Sequence, residues 1–223
     1  MASTRDCSII FNVSTPEATR KLTDEGLKLG VARSIAANGK FPSANVVWRS
    51  AAPEPNWVAK WTEGKYALSW TPDLGQVGAQ IKLVGSWQPA QIGSRYDVDA
   101  DGKWQASGSG YDRNSITVRN LSTAPLHIVI GAQSVLTGEF EPIWVDPHAT
   151  NDSNKSTFLP DQRLLLWYGK DVQQASVFDP SSCECMPGQL NPSSARTPWS
   201  QASGSKWQAD FDLDEGYWKI QPI

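Results

Sequence analysis

The strongest constraint in this sequence is an alternation of apolar and polar side chains in short runs, with almost no helical spacing between them. Val46 and Trp48 fall on one face of such a run, and Tyr66, Leu68 and Trp70 on one face of another. In residues 80–87, Ile81, Leu83 and Trp87 group together while Lys82 and Ser86 point away. Residues 28–33, 115–120, 126–130, 140–145, 163–168 and 206–213 repeat the pattern. Successive side chains of a strand point to opposite faces, so a period of two predicts half-buried strands. Clusters of Gly, Pro, Asn, Asp and Ser separate the runs, which is the punctuation of an all-β chain.

Helical signals occur at residues 16–25 only. Ser14 and Thr15 offer a cap, Pro16 suits the first turn, Glu17 follows it, and Gly26 stops the run. The expected fold is therefore all-β: an antiparallel β-sandwich or jelly-roll-like barrel with one short N-terminal helix. A chain of 223 residues is compatible with a single β-rich domain over 1–223. A Pro- and Ser-rich stretch at about 179–201 reads as a long loop.

Charge narrows the partners. The formal net charge is −3 and the Lys and Arg residues are scattered, leaving no basic stripe to neutralise phosphates. No nucleic acid partner is expected. No apolar run approaches the ~20 residues needed to cross a bilayer, and Ile9-Ile10-Phe11 is too short for a leader. A cytoplasmic location follows as an expectation. The odd set Cys7, Cys183 and Cys185 agrees with it, reading as plain thiols and not as a disulfide framework.

Eleven Trp residues outnumber both Phe and Tyr. Such usage predicts an aromatic core, an aromatic-lined pocket, or both. Trp48, Trp57, Trp61, Tyr66 and Trp70 fall close together in the chain, with Arg49 beside Trp48 as a polar handle. These six are the candidate ligand-binding residues, set against the alternative that they plug the sandwich. Asp97, Asp99 and Asp101 alternate before Gly102, as carboxylates do at the start of a calcium loop. The twelfth position is Gly108, where a complete loop would need an acid, so a metal-free hairpin turning at Asp101-Gly102 is the competing reading. The cofactor expectation is none, or calcium. Lys103-Trp104-Gln105-Ala106 returns as Lys206-Trp207-Gln208-Ala209, without a fixed repeat period.

No nucleophile elbow, phosphate loop or paired-histidine metal motif is present. Residues able to move a proton are His127, His148, Glu141 and Asp146, the last two flanking Trp144.

Residues Leu22-Thr23-Asp24-Glu25-Gly26-Leu27-Lys28-Leu29, Asn45-Val46-Val47-Trp48 and Ser69-Trp70-Thr71-Pro72 give the first third of the chain a further aspect. There it resembles small uncharacterised β-rich proteins of fungi. The resemblance implies a β-rich fold and carries no activity and no functional residues.

Three functions fit these readings. The first is a non-catalytic, lectin-like module that stacks a glycan or other small ring ligand on exposed tryptophans. The second is a cofactor-independent cyclase or isomerase with an aromatic-lined pocket for an apolar metabolite. The third is a structural protein that self-associates through sheet edges into a homo-oligomer.

Overall fold

The computed structural model describes residues 5–151, 154–179 and 206–223. Residues 180–201 of the expected loop, with Cys183 and Cys185, lie outside the described residues. In chain order the elements are β1 (Arg5–Val13), α1 (Pro16–Asp24), β2 (Lys28–Ala37), β3 (Arg49–Ala51), β4 (Trp57–Thr71), β5 (Gln88–Ala90) and β6 (Ser94–Val98). There follow β7 (Trp104–Ser109), β8 (Ile116–Asn120), β9 (His127–Ser134), β10 (Phe140–Val145), β11 (Lys155–Gly169), β12 (Lys206–Asp212) and β13 (Tyr217–Pro222). The fold is the expected all-β sandwich with a short N-terminal helix.

One sheet has the order β10-β9-β4-β1-β12-β13, with β5 added beside β4. The other has the order β3-β2-β11-β8-β6-β7. Pairing is antiparallel except at β1–β12 and β6–β8, which makes both sheets mixed. Parallel partners need a crossover and no local turn, so short-range punctuation carries no sign of them. The helix follows its sequence signals: the Thr15 hydroxyl accepts the Ala18 N–H at 3.1 Å, and Ala18 and Leu22 face the core.

Alternation fills the space between the sheets. Ile9 and Phe11 of β1, Leu68 of β4, Ile128 and Ile130 of β9, Val118 of β8 and Phe211 of β12 are all buried in one cluster. A second, smaller cluster forms where Val129 of β9 and Val145 of β10 point the other way. Val46 and Val177 are buried in it, and Leu74, Ile81, Leu83 and Trp87 pack against it. The alternation in residues 80–87 is therefore real, although the segment forms no named strand and reaches its neighbours through a bridge at Gln80 and single backbone hydrogen bonds from Ile81 and Val84. The two Lys-Trp-Gln-Ala copies fall on β7, at the end of one sheet, and on β12, inside the other. They are not copies of one structural unit.

No helix among the described residues is long and apolar enough to cross a membrane.

Candidate functional site

Three of the six expected ligand-binding residues, Trp48, Trp61 and Tyr66, meet inside the sandwich around an arginine that the sequence patterns do not single out, and a fourth, Arg49, lies against Trp48. Arg33 of β2 is 1% exposed. Its guanidinium carbon lies 5.7 Å from the Trp48 ring centre, 5.8 Å from that of Trp61 and 5.7 Å from that of Tyr66. Rings present their negative faces to cations, so the cage offsets part of the cost of burying the charge. Glu63 supplies the rest, accepting from Arg33 Nη2 at 2.9 Å and from Trp61 Nε1 at 3.0 Å. The Tyr66 hydroxyl donates to the other Glu63 oxygen.

Two bulges flank this pairing. Glu63 continues the face of Ala59 and Trp61, in unbroken register with β1. Between Trp61 and Tyr66, β4 advances five residues against two on β9, from Ser134 to Ala132, and the shift in phase turns Tyr66 to the same interior. Beside Arg33, β11 advances four residues, from Pro160 to Leu164, against two on β2.

Burial alone would raise the Glu63 carboxyl, but the Arg33 charge and the hydrogen bonds from Tyr66, Trp61 and Arg33 hold it below the usual range. Arg33 is likewise opposed by burial and restored by Glu63. Arg33 Nη1 finds no hydrogen-bond partner among the described residues. Arg49 also lies over Trp48, 4.8 Å from the ring centre, and is paired with Glu141 at 2.5 Å. Two guanidinium groups thus contact the Trp48 ring, and Trp207 stacks on Trp61 at 6.0 Å. With its ion pairs closed on themselves, the cluster is built to hold the sheets together.

Trp57 and Trp70, the remaining two, are half-buried. Trp57 leans on Phe11 at 5.2 Å. Trp70, near the end of β4, lines a cleft of about 440 Å³ with Val84, Gly85, Ser86, Gln88, Asp101, Gly102, Lys103 and Trp104. Clefts that hold small molecules run from about 300 to 1,000 Å³. Its two walls come from different sheets. After β4 the chain doubles back beside it: Val84 N–H donates to the Trp70 carbonyl at 3.2 Å, Ser69 Oγ donates to the Gly85 carbonyl, and β5 pairs with β4. The opposite wall is the turn joining β6 to β7.

That turn grips Trp70. The indole N–H donates to the Gly102 carbonyl at 2.9 Å. Gly102 has φ +75°, and a Cβ built there would stand 2.4 Å from the Trp70 ring. A Cβ on Gly85 would stand 2.9 Å from Trp70 Nε1. Glycine is required at both positions because the ring fills the space of a side chain.

The alternating acids have three separate tasks. Asp97 is buried and receives Arg119 Nη2 at 2.6 Å, with Arg95 at 3.8 Å. Asp99 closes the turn, its Oδ1 accepting the N–H groups of Asp101 and Lys103 at 2.9 Å each. Asp101 is exposed and lies 3.6 Å from Lys103 Nζ. The carboxylates therefore do not converge, and no group of His, Cys, Asp or Glu among the described residues could hold a metal ion.

Of the candidate proton-transfer residues, His127, Asp146 and His148 come together at one end of β10, while Glu141 pairs with Arg49 at the other. His127 Nδ1 stands 2.7 Å from the Asp146 carbonyl. A carbonyl only accepts, so that nitrogen carries the proton. The His148 N–H donates to Asp146 Oδ1 at 3.0 Å, and Oδ2 is buried without a hydrogen-bond partner among the described residues. Burial pushes the Asp146 carboxyl above the usual range, against the smaller pull of the His148 N–H and of the charges nearby.

Sequence reasoning passed over Arg33, Glu63 and Trp104 as site residues. The signal for Trp104 was its place directly after the Asp101-Gly102 turn. Arg33 had only its position beside the apolar Val31, Ala32 and Ile35 of β2. Comparison with protein-family models, curated proteins and solved structures yields no match to this chain.

Proposed function

We propose that this protein is a non-catalytic, lectin-like binding module that seats a sugar or other ring ligand in the Trp70–Trp104 cleft. The observation that carries the reading is one cleft combining two indoles with Ser86, Gln88, Asp101 and Lys103. Aromatic faces supply stacking area, and a few placed polar groups fix orientation. The hairpin hydrogen bonds hold the site in shape before a ligand arrives, which lowers the entropy lost on binding. A cytosolic address belongs to the same proposal, and the buried free thiol of Cys7 is in keeping with it.

The cyclase or isomerase reading has less support, because Glu141 neutralises Arg49 instead of joining the two histidines. The binding reading is tested by titrating the full chain against a broad glycan array while following tryptophan emission. Binding should shift the emission, and Trp104→Ala should abolish the response while circular dichroism stays unchanged. Silence across the array, or full binding by Trp104→Ala, would sink the proposal.

A further inference from the structure

The rim of the cleft narrows the ligand beyond what stacking alone decides, and the inference rests on the binding reading above. We propose that the cleft selects an electrically neutral, polyhydroxylated ring such as a pyranose. The Asp101–Lys103 pair recognises adjacent hydroxyls by exchanging its mutual contact for contacts to them.

Three observations lead there. Asp101 Oδ2 and Lys103 Nζ are 3.6 Å apart, and their side chains are 76% and 77% exposed. An ion pair so open to water contributes little, so separating it costs little. The rim holds one charge of each sign. An anionic ligand that satisfied Lys103 would be repelled by Asp101, and a cationic one would meet the reverse. Adjacent hydroxyls suit both at once, because one donates to the carboxylate while its neighbour accepts from the ammonium.

Besides the Trp104 indole N–H, a neutral donor buried without a hydrogen-bond partner among the described residues, the remaining polar side chains of the lining are Ser86 and the Gln88 amide, each neutral and able both to donate and to accept. Trp70 adds no donor, since its N–H is already held by the Gly102 carbonyl. It offers ring surface only, as exposed Val84 offers methyl groups. A flat aromatic ligand would find the same surface, yet it would strip water from Asp101 without returning a donor.

The test is calorimetric titration of the full chain with methyl glycosides of neutral hexoses, glucuronic acid, glucosamine and adenosine. A neutral glycoside should bind at least about tenfold more tightly than its charged counterparts or adenosine, which corresponds to ~1.4 kcal/mol. Asp101→Asn should weaken the neutral glycoside and improve the uronate. Lys103→Met should weaken the neutral glycoside and improve the amino sugar. Both residues are exposed, so loss of fold does not obscure the result.

If a charged sugar binds best, selection by neutrality is wrong; if adenosine binds best, selection of a polyhydroxylated ring over an aromatic one is wrong; in either case the cleft remains a ring-ligand site. If neutral glycosides bind equally to wild type and both variants, the selecting role of the pair is wrong. If nothing in the panel binds wild type, the inference and the proposed function fall together.

Discussion

Glu63 sets the charge balance of the interior. Removing one partner of a buried pair leaves the other charge uncompensated, at about 3 kcal/mol or more. Glu63→Gln should therefore lower the unfolding free energy by an amount of that order, measured by urea titration at neutral pH. Its carboxyl is held low in the folded state, so its stabilisation is complete above the unfolded value of about 4.3 and disappears as pH falls through the folded one. Wild type should lose more stability than Glu63→Gln on acidification below about pH 4.

Asp146 has the opposite sign. Burial raises its carboxyl, so its favourable contribution exists below the unfolded value of about 3.9 and is lost as pH rises through the folded one. An unpartnered buried oxygen costs about 1–3 kcal/mol. Asp146→Asn keeps an acceptor for the His148 N–H and removes the charge. It should melt at a higher temperature than wild type at pH 7, and the gap should close near pH 3. Equal melting curves at both values would count against this account.

Among the elements, the β6–β7 hairpin joins architecture to binding. Gly102→Ala forces a Cβ into the Trp70 ring at a left-handed backbone position, a cost of about 1 kcal/mol or more. The expected outcome is altered tryptophan emission and lost ligand response, with the β-sheet circular dichroism signal retained. β10 coincides with the run read at 140–145, and β12 ends one residue short of its expected run. Alternation reveals such strands because each has one face in the core.

The same rule explains the limits of the sequence reading. It groups Tyr66, Leu68 and Trp70 on one face but says nothing about what covers them. Tyr66 and Leu68 lie deep between the sheets, while Trp70, at the strand end, packs on the margin of the core and is held by the hairpin turn and the returning chain. Trp48 and Trp61 are covered by Arg33 and Trp207, residues distant in sequence. The bulge before Tyr66 breaks the period on which the reading depends, so that alternation traced back from Tyr66 puts Glu63 on the wrong face.

At the scale of the molecule, the last two strands are integral to the core. Trp207, Phe211 and Trp218 are buried, and β12 is hydrogen-bonded to β1 along its length. Deleting residues 206–223 exposes these aromatic contacts and one edge of β1. The shortened chain should lose cooperative urea unfolding and bind a hydrophobic dye, whereas a sharp transition at the wild-type midpoint would show the strands to be dispensable. The pairing also spans the chain: Asn12 donates to Asp210 across 198 positions. Contacts of such separation slow folding, because a long loop must close before it is rewarded. During synthesis, β1 leaves the ribosome long before its neighbour is translated, and one side of it stays bare meanwhile. A nascent chain of this design completes its fold only once β12 has emerged, and until then it is a natural client for a chaperone that shields unpaired strands.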